Sequence, residues 1–268
     1  MARTTGSKLI YTGDLGGFTG TFNARAGGAT TPGINVIATN HFGGTFAVDS
    51  GTLQIGNADA TGTLGANNIA NNGTLLFNST KNLGYNGDIS GAAGKLTVNN
   101  SAGTLVLGGN NTYEGATTVT AGTLLVNGAL GNTAVSVAPG ATIGGSGTLA
   151  GTLGLGSTSV FEIVDLNDPL SVAGIVTFGS GFGIANLSGV DWDSLEMNTP
   201  YTILTGSTQD FSTAELANFG LTNAANVGSG DRKAYFEQGS LRFVVIPEPS
   251  ATVMGGLGLL ALLRRRRD

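Results

Sequence analysis

The stretch that decides the fold runs Gly94-Lys95-Leu96-Thr97-Val98-Asn99-Asn100-Ser101-Ala102-Gly103-Thr104-Leu105-Val106-Leu107-Gly108-Gly109-Asn110-Asn111-Thr112-Tyr113-Glu114-Gly115-Ala116-Thr117-Thr118-Val119-Thr120-Ala121-Gly122-Thr123-Leu124-Leu125-Val126-Asn127-Gly128. Within it the triplet Gly-Thr-Leu occurs at Gly103 and Gly122, each time opening a short apolar run of β type, Thr104-Leu105-Val106-Leu107 and Thr123-Leu124-Leu125-Val126. Between the runs stand Asn99-Asn100 and Asn110-Asn111, residues whose side-chain amides bond the neighbouring backbone and so suit corners.

The triplet recurs outside this stretch at Gly51, Gly62, Gly73, Gly147 and Gly151, with Gly94-Lys95-Leu96 as a variant. Successive starts mostly differ by about ten residues or about twice that, the mark of a stacked repeat. A strand of four residues cannot bury an apolar face alone, but short strands stacked along an axis pair each backbone with the rungs on either side. The expected architecture is therefore all-β, a right-handed parallel β-helix. Leu, Val, Ile and Phe point inward, and Gly and Asn, including Asn71-Asn72, stand at the corners. A β-sandwich also yields short strands at regular spacing, but its strands need not begin with the same residues.

Composition agrees. Of 268 residues, 46 are Gly and 40% are hydrophobic, enough for a core, while charged residues make up 11% against about 25% in ordinary domains. Gly costs roughly 1 kcal/mol per interior helical position relative to Ala, so a mostly helical chain is disfavoured. With no Cys, disulfides, thiolate catalysis and thiolate zinc sites are excluded. The formal charge is -5, and no Lys or Arg occurs between Lys95 and Arg232, which makes nucleic acid an unsuitable partner.

Four regions are expected: a β-rich N-terminal part over residues 1–50, the β-helix over 51–159, a β capping subdomain over 160–246, and a tail over 247–268. The triplet fades after Leu155. Beyond it, Val160-Phe161-Glu162-Ile163-Val164, Tyr201-Thr202-Ile203-Leu204 and Leu241-Arg242-Phe243-Val244-Val245 read as strands, and Ser212-Thr213-Ala214-Glu215 as the N-cap of a helix ending at Gly220.

Residues 94 to 128, with their Asn111-Thr112-Tyr113 cluster followed by Gly-Thr-Leu, resemble the autotransporter-associated β-strand repeat, also called the passenger-associated transport repeat. Val135 to Gly151 look like its continuation. That resemblance implies a β-helical surface protein without a catalytic site. At the other end, Pro247-Glu248-Pro249, an apolar run and Arg264, Arg265, Arg266 and Arg267 resemble the PEP-CTERM sorting signal. This implies recognition and cleavage by an exosortase in the inner membrane of a Gram-negative bacterium that makes exopolysaccharide.

The tail also has a physical reading of its own. Prolines on either side of Glu248 fix φ and bias the preceding residues to extended conformations, so the motif is expected to stay out of both helix and sheet. The run Ala251, Thr252, Val253, Met254, Gly255, Gly256, Leu257, Gly258, Leu259, Leu260, Ala261, Leu262 and Leu263 is uncharged. As a helix it would be about 20 Å long against a hydrocarbon core of about 30 Å, a short anchor suited to transient retention. The four arginines place the tail's end in the cytoplasm and the repeats across the membrane. At the N-terminus, Met1-Ala2-Arg3-Thr4-Thr5-Gly6-Ser7-Lys8 leads straight into Leu9-Ile10-Tyr11 without the apolar run of an export signal, which points to a truncated or misassigned start. An autotransporter passenger would carry a C-terminal membrane barrel, and no alternating strands follow Leu241.

Catalytic candidates are sparse. His41 is the sole histidine, so a Ser-His-Asp triad or a multi-His metal site finds no support. Gly179-Ser180-Gly181-Phe182-Gly183 lacks the spacing of a phosphate loop and reads as a turn. The acids Glu162, Asp165 and Asp168, and Asp191, Asp193 and Glu196, read as solvated loops rather than a carboxylate pair or calcium site. Tyr113 and Trp192 read as core aromatics rather than sugar platforms. No cofactor or metal is expected. The function that follows is an exported structural or adhesin-like protein of the cell surface or matrix, with exopolysaccharide and the exosortase as candidate partners. A β-helical polysaccharide lyase or glycoside hydrolase is the alternative.

Overall fold

A computed structural model describes the strands Lys8–Tyr11, Thr21–Ala24 and Ile34–Ile37 with Gly20, residues 45–206 other than 61 and 63, and residues 218–248 other than 231. These residues form a parallel β-solenoid closed by an antiparallel sheet.

Each coil has three faces. On the first, Lys8–Tyr11, Ile34–Ile37, Thr52–Asp59 and Thr74–Ser79 are followed by the first halves of the long strands Lys95–Leu107 and Thr117–Val126, then by Val135–Val137, Leu153–Leu155 and Val176–Phe178. On the second, Leu83–Tyr85 pairs with the end of Lys95–Leu107, and the ladder continues through Thr123, Thr142–Gly144, Val160–Glu162 and Leu187–Ser188. The long strands turn the corner with a register shift after Val98, so the two faces make one 13-stranded sheet. The third face consists of two four-stranded sheets, Thr21–Ala24 to Ile89–Ser90 and Asn110–Asn111 to Ser171–Val172.

Register explains the core. Leu75, Leu96, Thr117, Val135, Leu153 and Val176 stand one above another on the first face. Leu83, Leu105, Leu124, Ile143, Phe161 and Leu187 do so on the second. All are buried. Each fully buried aliphatic side chain contributes roughly 1.5–3 kcal/mol, and because the columns are continuous every coil needs its neighbours to be dry. Parallel stacking is as expected, and it excludes the sandwich. The triplet, however, does not mark the start of a coil. Thr52 lies over Thr74 on the first face, Thr104 over Thr123 on the second, and Thr148 opens a strand of the third. Gly-Thr-Leu marks the exit from a corner, whichever corner it is.

Glycine is demanded at these corners by close approach. A Cβ on Gly128 would lie 2.2 Å from the carbonyl oxygen of Gly109, and one on Gly147 would lie 2.1 Å from that of Gly128, so one glycine column climbs the solenoid. Gly122 adds a positive φ of 75°, and a Cβ there would sit 1.7 Å from the Asn100 carbonyl oxygen.

The change of pattern at Val160 does not end the ladder. Val160–Glu162, Ser171–Val172, Val176–Phe178 and Leu187–Ser188 all pair in parallel with the coil before, and the antiparallel sheet begins only at Pro200. Its order is Pro200–Thr202, Arg242–Pro247, Arg232–Phe236, Ala225–Asn226. The helix expected from Ser212, and the C-terminal hydrophobic helix, lie outside the described residues. Gly220 instead precedes a short 3-10 turn, Leu221–Asn223. Phe178 of the last coil packs on Phe182 at 5.0 Å and on Phe219 at 5.8 Å, and Phe219 packs on Phe236 of the antiparallel sheet at 4.9 Å, so aromatic rings cover the end of the aliphatic columns.

Gly122→Ala is expected to destabilise the protein by more than the roughly 1–2 kcal/mol of a left-handed alanine, because the carbonyl below must also move. Gly140→Ala, with φ of 79° but open space around it, should lose only the conformational part. Urea unfolding of the two variants beside the parent checks the difference.

Candidate functional site

Two parts of the molecule correspond to the sequence motifs: the outer surface of the repeat, and the strand that carries the first residues of the sorting-like motif. On the surface, Thr97, Thr118 and Ser136 follow one another on the first face, and Thr104, Thr123 and Thr142 on the second. At the corner between these faces the Asn99 amide donates to Asn78 Oδ1 at 3.3 Å, and the Thr120 hydroxyl lies 3.4 Å from Asn99 Oδ1. From Leu96 to Phe161 the sequence holds one charged residue, Glu114. The surface therefore offers rows of neutral hydroxyls and amides, able to exchange hydrogen bonds in either sense and making few demands on salt.

Beneath this surface the Asn111-Thr112-Tyr113 cluster is structural. Asn111 is fully buried where the third face breaks in two. Its Oδ1 accepts from the Ile89 amide at 3.1 Å, while its Nδ2 donates to Ala129 at 3.0 Å and Gly109 at 3.1 Å, joining the two sheets through a side chain. Tyr113, also fully buried, has its hydroxyl 2.6 Å from Thr117 Oγ1, which lies 3.0 Å from Thr133 Oγ1; Thr133 donates to the Gly115 carbonyl at 2.7 Å. Each hydroxyl has a single proton. Thr133 spends its own on Gly115, so Thr117 donates to Thr133 and Tyr113 donates to Thr117. The chain thus has one direction and ends on a backbone carbonyl. The core role expected for Tyr113 holds, but the polar chain was invisible in sequence, since Thr117 and Thr133 look like two threonines among many. Burial pushes the Tyr113 phenol well above the ordinary tyrosine range, and burial together with the nearby Asp88 carboxylate does the same to Tyr85.

The remaining candidates resolve as loops and packing. Asp165 accepts from the Asn167 amide at 2.8 Å in a local turn. Asp193 accepts from Ser229 Oγ at 2.6 Å and from the Ser229 backbone at 3.0 Å, hydrogen bonds that hold its carboxyl below the usual range. Glu162 lies in a second-face strand opposite Ser188, and among the described residues no group of three or more acids or histidines is placed to hold a metal ion. Gly179–Gly183 is a turn that carries the buried Phe182. Trp192 packs edge-on against Phe243 at 5.2 Å. His41 lies outside the described residues.

The tail yields one correction. Pro247 is not held out of the sheet: it is the last residue of the strand Arg242–Pro247, opposite Arg232, and Glu248 follows it with its Oε1 3.2 Å from Lys233 Nζ. A proline at a strand's end gives up an amide that would be hard to pair there anyway. Lys233 was missed in sequence because nothing but the antiparallel register brings it beside Glu248. Pro249, Ala251 to Leu263 and Arg264 to Arg267 lie outside the described residues. Among the described residues no helix is long and apolar enough to cross a membrane.

Residues 98–126 match the model of the passenger-associated transport repeat. They span the bulged corner, the stitching Asn111 and the Tyr113–Thr117 part of the hydroxyl chain, whose last member, Thr133, lies beyond the match. The chain is also similar to the adhesin BmaC autotransporter of Brucella suis biovar 1 (strain 1330), 40% identical over 107 residues, which is 38% of this chain and 3% of that much longer protein. No solved structure matches.

Two outcomes are expected. Tyr113→Phe leaves the buried Thr117 oxygen without its donor and should cost about 1–3 kcal/mol in urea unfolding. The chain should also lose stability as pH rises past about 10, where tyrosines of the unfolded chain ionise while the buried Tyr113 and Tyr85 keep their protons, so that protons are released on unfolding. Tyr113→Phe should flatten that alkaline decline, as followed by melting temperature against pH.

Proposed function

We propose that this chain is an exported, adhesin-like structural solenoid, non-enzymatic, that acts as a spacer and weak multivalent contact surface at the cell surface or in an exopolysaccharide matrix. The single observation that carries the proposal is the 13-stranded parallel sheet that joins Lys8–Tyr11 to Leu187–Ser188, with a passenger-associated transport repeat within it. The likeness to an autotransporter adhesin supports export and adhesion. The neutral rows of Thr, Ser and Asn support contact with hydroxyl-rich polymer, where each contact is weak and the number of rungs supplies avidity.

The C-terminal tail is the addressing part of the proposal. Pro247, Glu248 and Pro249 are the motif read by an exosortase, Ala251 to Leu263 hold the protein briefly in the inner membrane, and Arg264 to Arg267 stay on the cytoplasmic side until the tail is removed. Burial supports a cut here. Val245 is fully buried in the antiparallel sheet whereas Pro247 is exposed, so removal of everything beyond the motif leaves the packed strand in place.

Mass spectrometry of the C-terminus from cells with and without the exosortase tests the address. The tail should be absent in the first and intact in the second; an intact tetra-arginine end in both refutes sorting. Purified protein should sediment with matrix polysaccharide without releasing reducing ends, and release of reducing ends or unsaturated sugars would overturn the non-enzymatic assignment.

A further inference from the structure

We infer that the antiparallel sheet holds Pro247 and Glu248 of the sorting motif in a docked state, and that the Lys233–Glu248 ion pair is a latch whose opening sets the rate at which the motif is processed. This rests on the sorting proposal above.

The strand Arg242–Pro247 is central over its first part. Arg242, Phe243 and Val244 pair with Thr202, Tyr201 and Pro200 on one side, and with the strand Arg232–Phe236 on the other. The Val245 carbonyl still receives the Asn198 amide at 2.7 Å. From Ile246 onward pairing is one-sided, against Lys233 and Arg232 alone. Exposure changes at the same point, from fully buried Val245 to half-buried Ile246 and exposed Pro247.

Two groups hold the one-sided segment. Arg232 opposite Pro247 is itself fixed, donating to the carbonyls of Trp192 at 2.9 Å and Leu195 at 2.8 Å, so this end of the neighbouring strand is rigid. Lys233, next along, reaches Glu248 with side-chain exposures of 29% and 38%. An enzyme that takes an extended peptide as an added strand pairs with its backbone edge and reads its side chains in pockets, so a motif held by a neighbouring strand and an ion pair is only partly available to it. In the docked state one edge faces Arg232 and Lys233, and the carboxylate of Glu248 faces an ammonium group. Fraying of Ile246 to Glu248 frees both at once and leaves Phe243 and Val245 buried, so the latch opens without unfolding the sheet. A partly exposed ion pair is weak, so the latch sets a rate and does not block processing.

The test varies Lys233, because Glu248 is also part of the motif. The full chain is pulse-labelled in a host that makes the exosortase and in its deletion strain, as parent, Lys233→Ala, Lys233→Glu and Lys233→Arg. Tail loss confined to the first strain, about 1.5–5-fold faster in Lys233→Ala, at least as fast in Lys233→Glu and near the parent rate in Lys233→Arg, supports the latch. Equal rates in all four overturn the latch and leave sorting intact. A tail kept by all four in both strains overturns sorting. Docking is then decided on the purified full chain by hydrogen exchange at the Ile246 and Glu248 amides. Exchange that Lys233→Ala speeds by the same factor at low salt, with the difference vanishing at 1 M salt, sustains the docked state; exchange indifferent to Lys233 overturns it.

Discussion

Hydrogen bonding from coil to coil through the corners is the constraint on which the rest of this molecule depends. Strands on flat faces satisfy their backbones automatically, with neighbours about 4.8 Å away on either side. Corners do not, and an unpaired buried amide or carbonyl costs about as much as several favourable contacts return. Two devices meet the need. Glycines let the chain turn directly above the carbonyl of the coil below, as Gly109, Gly128 and Gly147 do in one column. Buried asparagines extend an amide to the adjacent coil: Asn71 donates to the Lys95 carbonyl, Asn100 accepts from the Ser79 amide, and Asn111 does both. The 46 glycines and the scattered asparagines are thus a consequence of stacking.

Legibility in the sequence followed the same division. The faces were readable, because alternating apolar residues in short runs define both strand and inward side. The corners were readable as composition, but not in detail. Asn71-Asn72 buries its first member, and Asn110-Asn111 buries its second, a choice fixed by where the chain stands in three dimensions. The triplet carries no phase of its own for a related reason. It reports a local requirement, a glycine leaving a tight corner before a β-branched residue enters a strand, and three corners share that requirement. The end of the ladder was misplaced because Val160–Glu162 and Val176–Phe178 keep the inward alternation after the triplet is lost. For the site, the residues of the motif were legible and their partners were not. Lys233 beside Glu248, and Thr133 beside Thr117, are contacts across long sequence separations between common residue types.

A solenoid whose columns are continuous must also stop, since its last rung presents an apolar column and open strand edges. Here the stop has two layers. Phe178, Phe182, Phe219 and Phe236 cover the apolar column, and the antiparallel sheet behind them holds a second group of rings, Tyr201 on Phe243 at 5.5 Å and Trp192 on Phe243 at 5.2 Å. Reversal of strand direction matters as much as the rings. Thr205 makes a last parallel bridge to Ser171, and the strands of the antiparallel sheet do not extend the ladder of the coils.

Charge is placed by the same geometry. A residue repeated on an outward column meets its copy one rung away, and two like charges at about that distance repel by about 1 kcal/mol even in water. Over many rungs the repulsion accumulates, whereas hydroxyls and amides on neighbouring rungs hydrogen-bond one another, as Asn78, Asn99 and Thr120 do. Hence the single charged residue, Glu114, between Leu96 and Phe161. Cationic side chains return in the antiparallel sheet, where nothing repeats, and each is used once. Arg232 fixes the loop at Trp192 and Leu195, Arg242 reaches Glu237 at 3.2 Å, and Lys233 meets Glu248. Neutral groups suit the part of the chain that must be long, and paired charges suit the part that must locate one end.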